Sequence, residues 1–301
     1  MLVLQQERVA NPIEWMLPLL SMIPLAIGLL EDVTKNLGAK TRLALITISA
    51  LLTVLYLNLH ISTVSIWGLD ALLLIPAVST ATAVFAIVGL TNAYNIIDGV
   101  NGLASMIGVL ASLSLGYVGY LLGDPALIQL SFSLVAALLG FFILNYPRGL
   151  IFLGDGGAYL IGFWIAALSI WTCVNDREVS PWFALLISAY PIIETIFTIF
   201  RRLLYKKTNV LAPDRLHLHS LIYRRALHTQ NPQNEAEFIL GNAKTAPFLW
   251  VLNGITLVPA VLWWDNTSVL MVFFALYLVC YLWLYQRFVR FNMPKWFSFF
   301  N

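Results

Sequence analysis

Most of the residues that could take part in chemistry lie in four short segments of an otherwise apolar sequence. The segments are 28–42 (GLLEDVTKNLGAKTR), 92–104 (NAYNIIDGVNGLA), 145–157 (NYPRGLIFLGDGG) and 213–220 (PDRLHLHS). Together they supply carboxylate, amide, imidazole and basic groups, and three of the four also contain glycine. Phosphoryl transfer uses a cation bound by carboxylates together with basic groups that neutralise phosphate charge. The four segments therefore indicate phosphate chemistry if the fold brings them together.

The first segment places two acids, Glu31 and Asp32, at the predicted end of an apolar helix. The carboxyl end of a helix carries a partial negative charge, so acids there are unfavourable by about 0.3–1 kcal/mol each. We therefore expect a positive group close to them. Lys35 and Lys40 follow in the same segment, although an ordinary helix end among lipid headgroups would also favour lysines.

The second segment joins two apolar runs with hardly any loop. Asp98 lies at this junction, where a charge drawn to the membrane centre costs about 2.5–3.5 kcal/mol, so we expect it to face an aqueous cleft. Gly99 and Gly102 permit a sharp turn and a close approach to a ligand. The segment also carries three amide side chains, those of Asn92, Asn95 and Asn101.

The third segment brackets Asp155 with Gly154, Gly156 and Gly157, directly before another apolar run. Such a backbone is able to wrap closely around a phosphate or a metal ion. Turn chemistry alone also explains an aspartate between glycines. The ligand-binding interpretation is favoured because the segment is predicted to lie on the same membrane face as the other acids.

The fourth segment lies in the one long polar stretch of the chain, 204–245, and contains Asp214, Arg215, His217 and His219. Arginine and histidine bind phosphate and exchange protons. A zinc site is the first alternative, but carboxylates with a phosphate substrate suit Mg²⁺ better. A basic loop bound to anionic lipid is the second alternative.

The rest of the sequence predicts an all-α, polytopic integral membrane protein. Of its 301 residues, 60% are hydrophobic and 11% are charged, against about 25% charged in a soluble domain. Apolar runs long enough to cross a hydrocarbon core about 30 Å thick recur along the chain. The predicted spans, about nine, are 15–31, 42–60, 71–93, 101–122, 127–145, 157–174, 181–203, 246–264 and 267–287.

We expect one membrane domain over 1–301. Residues 15–203 would form a seven-helix catalytic portion, 204–245 a cytoplasmic loop, and 246–301 the last two helices and a cytoplasmic tail. The amino-terminal residues lack the pattern of a cleaved signal peptide, so the first span is predicted to remain as an anchor.

The basic residues predict the orientation. Of the 17 Lys and Arg, all except Arg8 and Arg177 fall on one side of the predicted spans, which the positive-inside rule makes the cytoplasmic side. The four segments lie on that side, so the active site is predicted to face the cytoplasm. Because topology explains the basic residues, no nucleic-acid partner is expected.

One acid falls outside this pattern. Glu194 lies seven residues before Arg201, about two helical turns or roughly 10 Å below the inner face. An ionisable residue at that depth faces the bundle interior or a hydrated cavity. Hydrogen bonding to a neighbouring helix is the first interpretation, and its role is left open.

The four segments together resemble the polyprenyl-phosphate N-acetylhexosamine-1-phosphate transferases. The matching stretches are GLLEDVTK, NAYNIIDGVNGLA, FLGDGGAYLIGF and RRLLYKKTNVLAPDRLHLH, in the order of that superfamily and each at an inner helix end. The resemblance extends over about residues 28–220, and the form of the histidine stretch is similar to the WecA-like branch. It implies transfer of an N-acetylhexosamine 1-phosphate from a UDP-sugar to undecaprenyl phosphate, which releases UMP. The product would initiate a cell-envelope polysaccharide such as O-antigen or lipopolysaccharide.

The resemblance also implies roles for individual residues. Asp155 would bind Mg²⁺, with Mn²⁺ as an alternative, and the catalytic acids would be Glu31, Asp32 and Asp98. The remaining implied residues bind the nucleotide, the sugar or the phosphates: Lys35, Lys40, Asn92, Asn95, Asn101, Asn145, Arg215, His217 and His219. The implied location is the inner membrane, multi-pass, with membrane lipid as partner and homodimerisation left open.

The sequence departs from the superfamily at several points. Glu31 stands where aspartate is usual, Asn101 replaces the second acid of the second segment, and Ser220 replaces a further histidine. Relatives begin with two more spans and an inner loop, so we expect either that the sequence starts late, through a misplaced start or truncation, or that the protein works with an abbreviated site. A transporter of a phosphorylated or lipid-linked solute, and an inactive scaffold of a glycan-assembly complex, are the competing hypotheses.

Overall fold

All the regular secondary structure in the described part of the chain is helical. The computed structural model describes residues 11–203, 216–227, 239 and 241–291. Its α-helices are α1 Pro12–Thr34, α2 Ala39–Tyr56, α3 Leu69–Leu73, α4 Pro76–Ile97, α5 Leu103–Leu122, α6 Pro125–Asn145, α7 Gly154–Asn175, α8 Pro181–Ile187, α9 Ala189–Arg201, α10 Leu218–Ile222, α11 Ala246–Leu262 and α12 Thr267–Val289. A π-helical turn, Tyr223–Leu227, follows α10.

The helices are those of a membrane protein. Eight segments of the described chain are long and apolar enough to cross a membrane, and a ninth span results if the bent pair α8 and α9 is counted together. Each crosses by satisfying its own backbone hydrogen bonds, which hydrocarbon requires. The predicted all-α, polytopic class with about nine spans is therefore confirmed.

Two predicted spans differ in detail. The seventh, 181–203, is not one straight helix, because α8 and α9 meet at Ser188 with a bend of 81°. The third, 71–93, is also interrupted near its start. The short helix α3 ends at Leu73, and Pro76 then begins α4, a position where the missing N–H of proline costs nothing.

Local sequence explains several helix starts. Asn11, Asp124 and Ser180 each precede a proline, and the side chain of each accepts a hydrogen bond from a backbone N–H in the first turn. A capping side chain followed by proline satisfies an orphan donor and presets the first helical dihedral angle. These pairs therefore fix where α1, α6 and α8 begin.

Helix α7 forms the centre of the bundle. In its most apolar 18-residue window 72% of the residues are buried, the largest share among the candidate spans. Glycines permit its close contacts: a β-carbon at Gly28 of α1 would lie 2.5 Å from the Asp155 carbonyl carbon, and one at Gly162 would lie 2.6 Å from the Leu90 oxygen of α4. Small residues at such interfaces let membrane helices approach closely. The packing brings the ends of α1 and α4 to the start of α7.

Gly28→Ala is expected to destabilise the protein by about 1–3 kcal/mol, the usual cost of overpacking. The added methyl group would meet backbone atoms of Asp155 and Gly156, which cannot rotate away as a side chain can. Thermal unfolding in detergent should show a lowered Tm. The matched control is Gly254→Ala, where the added β-carbon meets nothing within 4 Å; equal Tm values for the two variants would contradict the tight α1–α7 contact.

Candidate active site

The acids of the first three segments, Glu31, Asp32, Asp98 and Asp155, form one cluster. Asp155, at the start of α7, has the most side-chain partners of the four. Its Oδ1 accepts a hydrogen bond of 2.7 Å from Asn95 Nδ2. Its Oδ2 forms an ion pair with the Arg42 guanidinium and lies 3.5 Å from the Tyr159 hydroxyl. The carboxylate is therefore held by groups from α4, α2 and its own helix.

Asp32 caps the helix that carries Asp155. Its Oδ1 accepts the Asp155 N–H at 2.9 Å, and its Oδ2 accepts the Gly156 N–H at 3.2 Å. Gly154 has a φ of +67°, and a β-carbon there would lie 2.5 Å from Asp32 Oδ2, so glycine is required. A carboxylate is also favoured at the positive end of a helix dipole. Asp32 thus positions Asp155, whereas its direct catalytic role remains a prediction.

Glu31 is tied to the same cluster through Arg42. Its Oε2 accepts the Leu37 N–H at 2.8 Å, and its Oε1 lies 4.0 Å from Arg42 Nη1. Arg42, in the first turn of α2, is thus the positive group expected near the acidic pair, but it was not among the predicted site residues. The sequence predicts for Arg42 only a part in membrane orientation. Its spacing after the acidic pair was the available signal.

Asp98 directly follows α4 and is partly buried near the other acids. Burial, together with the smaller effect of the negative charges of Asp155 and Asp32, raises the pKa of Asp98 to about 7. An acid with a pKa near neutrality is able to accept and release a proton at physiological pH. The structure thus brings Asp98 into one electrostatic cluster with the two other acids.

The pKa of Asp98 predicts a pH dependence of stability in the presence of a chelator. Between its ordinary pKa of 3.8 and about 7, the folded protein keeps a proton that the unfolded chain has lost, so stability falls as pH rises through this window. Above pH 7 the contribution levels off. Tm measured from pH 4.5 to 8 should show this decline in the wild type and a weaker one in Asp98→Asn. Identical slopes in the two proteins would contradict the assignment.

The turn after Asp98 is held by a side chain from α6, one from α11 and that of Asn242, which precedes α11. The Gly102 N–H donates to Asn145 Oδ1 at 2.6 Å, and Asn145 Nδ2 donates to the Ile151 carbonyl at 2.8 Å. The Asn101 N–H donates to Asn242 Oδ1 at 2.8 Å, and Trp250 Nε1 donates to the Gly102 carbonyl at 3.1 Å. Sequence reasoning did not identify Asn242 or Trp250.

The turn contacts bear on two predicted ligand-binding residues. The amide of Asn145 is buried and joins two backbone segments, so its described contacts are structural. Asn101 is also buried, with 9% of its surface exposed. Substrate binding by both residues remains a prediction.

The histidine segment lies against the same turn. His219 is 3% exposed, and a β-carbon at Gly99 would lie 2.6 Å from its Cδ2 atom. The His217 and His219 rings stack with centroids 5.4 Å apart and an interplanar angle of 8°. The fold therefore brings the fourth predicted segment to the acids, as far as residues 216–220 are concerned. Arg215 lies outside the described residues, and its predicted role stays a prediction.

Three further predicted residues, Lys35, Lys40 and Asn92, have no described side-chain contact with the acids. Lys35 ends α1 in a left-handed conformation with a φ of 52°, and both Lys35 and Lys40 are exposed. Asn92 Nδ2 donates to the Val88 carbonyl one turn earlier, at 2.8 Å. Their roles in binding phosphate or nucleotide are not tested by these contacts.

The acids suit a hard cation with few protein ligands. In residues 11–203, 216–227, 239 and 241–291, no three His, Cys, Asp or Glu side chains are close enough to hold a metal ion alone. Mg²⁺ commonly binds to one or two carboxylates and completes its shell with water and substrate phosphates. Asp155 would supply one such carboxylate. The negative charges of Asp155 and Asp32, which help to raise the pKa of Asp98, also favour a bound cation.

Fold and site together define an all-α membrane protein whose acidic, amide and histidine groups meet at the ends of several helices. The chain belongs to glycosyl transferase family 4, whose sequence profile matches residues 15–173. The match covers the first three segments, and the histidine segment lies beyond it. The predicted membership of this superfamily is confirmed.

Three curated proteins show the similarity. A protein of Bacillus subtilis named "Probable undecaprenyl-phosphate N-acetylglucosaminyl 1-phosphate transferase" is 30% identical over 200 residues, 66% of this chain and 55% of its own length. Proteins named "Undecaprenyl-phosphate alpha-N-acetylglucosaminyl 1-phosphate transferase" match from Yersinia pestis, 31% identical over 68% of this chain and 57% of that protein, and from Thermotoga maritima, 30% identical over 67% and 60%. The chain thus matches a little over half the length of these relatives.

Proposed function

We propose that the protein transfers an N-acetylhexosamine 1-phosphate from a UDP-sugar to undecaprenyl phosphate. A phosphate oxygen of the lipid attacks the β-phosphorus of the UDP-sugar, the bond between that phosphorus and the bridging oxygen of UMP breaks, and UMP leaves. The observation that carries the proposal is the cluster of Asp155, Asp98 and Asp32 beside Arg42 at the ends of membrane helices. The names of the relatives support undecaprenyl phosphate as the acceptor and an N-acetylglucosamine 1-phosphate as the group transferred.

Asp155 is the proposed ligand of Mg²⁺, with Mn²⁺ as an alternative. Its carboxylate lies at the centre of the cluster and already holds one cationic group, Arg42. The bound cation would neutralise charge on the phosphates of the substrate. Asn95 would orient the carboxylate through the hydrogen bond to its Oδ1.

Asp98 is the proposed proton acceptor of the reaction. The second pKa of a phosphate monoester is about 6, and the pKa of Asp98 is about 7, so a proton on the attacking lipid phosphate transfers to Asp98 at little cost. Both oxygens of Asp32 already accept backbone N–H groups, which makes Asp32 the less suitable base. Glu31, close to Arg42, is proposed to face the lipid phosphate.

The basic residues are proposed to bind the phosphates. The His219 ring lies against Gly99 in the Asp98 turn and the His217 ring stacks on it, while Lys35 and Lys40 follow the acidic pair in the sequence and are exposed. Arg215 and the amides of Asn92, Asn101 and Asn145 complete the proposed substrate set. Such groups stabilise charge that spreads over phosphate oxygens during transfer.

The proposed location is the inner membrane, with the site open to the cytoplasm, where UDP-sugars are made. The basic residues of the sequence support this orientation. The product would be a lipid-linked pyrophosphoryl sugar that begins a cell-envelope polysaccharide.

The test is release of UMP by the purified full chain in detergent or vesicles. The protein is incubated with undecaprenyl phosphate, Mg²⁺ and a panel of UDP-N-acetylhexosamines, and UMP is measured for each. We expect release with at least one sugar and none without the lipid phosphate. A folded chain that releases UMP with no member of the panel would contradict the proposal and favour a scaffold or transporter.

A further inference from the structure

Glu194 is a fully buried carboxylate in α9, with 0% of its surface exposed. Three donors converge on it. His217 Nδ1 lies 3.0 Å from Oε1, the Leu218 N–H lies 3.2 Å from each carboxylate oxygen, and the Tyr281 hydroxyl donates to Oε2 at 2.9 Å. A buried carboxylate is tolerated only where such hydrogen bonds compensate for lost hydration.

The three donors come from two other parts of the chain. His217 and Leu218 form the start of α10, whereas Tyr281 lies in the middle of α12. The Thr198 hydroxyl, one turn after Glu194, lies 3.3 Å from the same His217 nitrogen. Glu194 therefore joins α9, α10 and α12 at one point, and two of its three partners belong to the histidine segment.

The consequence appears at the Asp98 turn. His217 is fixed by its Nδ1 atom, His219 stacks on it almost in parallel, and the His219 ring rests against Gly99. With Nδ1 hydrogen-bonded to the carboxylate, the opposite ring nitrogen of His217, Nε2, is the one left for a ligand. Both rings thus depend on the same anchor for their place beside Asp98.

We propose that Glu194 is a positioning residue for the transfer reaction. It holds the histidine segment over the Asp98 turn, fixes the proton of His217 on Nδ1 and directs Nε2 toward the substrate phosphates. This inference rests on the proposed function only where it names substrate phosphates as the ligand of the histidines. The position of the histidines beside Asp98 is a property of the fold. A carboxylate is needed because three donors meet there, and glutamine would present its own NH₂ group to one of them.

The test compares two tyrosines of α12. Tyr281→Phe removes one hydrogen bond from Glu194, whereas Tyr277→Phe removes a buried hydroxyl one turn away that has no hydrogen-bond partner among the residues described. Glu194→Gln is the stronger variant. All three are made in the full chain, and each is checked for Tm before use.

The first readout does not depend on activity. Diethyl pyrocarbonate modifies accessible imidazoles, and mass spectrometry of peptides gives the rate at each histidine, with His60 as internal reference. We expect His219 to react about tenfold faster in Tyr281→Phe, the factor that corresponds to one hydrogen bond to a charged group, and faster still in Glu194→Gln. Tyr277→Phe should react at the wild-type rate.

The second readout is steady-state kinetics of sugar phosphate transfer. Glu194→Gln should lower kcat by about 100-fold with KM for the UDP-sugar within about threefold, and Tyr281→Phe should lower kcat by about tenfold. Wild-type His219 reactivity in both Glu194→Gln and Tyr281→Phe would overturn the inference. The inference would also be overturned if activity fell only in proportion to the fall in Tm. If the wild-type chain transfers nothing, the proposed function fails, while faster His219 modification would still support the placement.

Discussion

Asp155→Asn should lower transfer of sugar phosphate by about 1,000-fold or more, on the scale of losing a dominant electrostatic group from an active site. The substitution keeps the size of the side chain and an oxygen able to accept from Asn95, but it removes the charge that pairs with Arg42. The bound cation would lose its proposed ligand, so the residual activity should respond only weakly to Mg²⁺. Activity titrated against Mg²⁺ measures both effects.

Asp176→Asn is the matched control for this prediction. Asp176 lies at the other end of the same helix, where its carboxylate accepts the Glu178 N–H at 2.9 Å. This variant should keep activity within about twofold of the wild type, since surface substitutions usually change little. Wild-type activity of Asp155→Asn at limiting Mg²⁺ would show that Asp155 is not the metal ligand.

Gly99→Ala should lower activity by about 100-fold while the helices stay folded. The new methyl group would lie 2.6 Å from His219 Cδ2 and 3.1 Å from Cε1. The ring is almost completely buried, so it cannot yield without moving the segment. Displacements of about 1 Å in a catalytic group commonly cost that factor. Steady-state kinetics, with circular dichroism to check helicity, measures the effect.

The control for Gly99→Ala is Gly89→Ala in α4. A β-carbon at Gly89 meets nothing within 4 Å, and alanine favours a helix interior over glycine by about 1 kcal/mol. This variant should be fully active and at least as stable as the wild type. If Gly99→Ala is equally active, the histidine segment does not lie over the Asp98 turn in the working protein.

Much of the architecture follows from the sequence because membrane spans are set by length and apolarity alone. The acids of the first three segments could also be placed together, since each ends or begins an apolar run on the same side. Apolarity does not predict the bend at Ser188, because the apolar pattern continues without a break through α8 and α9. The available signal is Pro191 in the first turn of α9: proline has no N–H to donate to the carbonyl one turn earlier, so it interrupts a continuous helix just before its own position.

The partners of the acids could not be predicted because they depend on how helices pack. The positive-inside rule explains every inner basic residue in the same way, so apart from its spacing after the acidic pair nothing in the sequence distinguishes Arg42, which pairs with Asp155 in the fold. An amide that binds substrate and one that joins backbone segments also look alike in sequence, as Asn145 illustrates. The depth of Glu194 marks it as unusual in the sequence, but its partners, at the start of α10 and in α12, depend on helix packing.

The central claim is that the protein moves a sugar together with its phosphate. A UDP-N-acetylhexosamine with a radioactive label in the β-phosphate distinguishes this reaction from ordinary glycosyl transfer, in which that phosphate stays with the nucleotide. The full chain is incubated with the labelled sugar nucleotide, undecaprenyl phosphate and Mg²⁺, and the lipid fraction is extracted. The account predicts that the label enters the lipid fraction in the wild type and not in Asp155→Asn. A label that remains entirely in the aqueous nucleotides, with every UDP-N-acetylhexosamine tried, would contradict it.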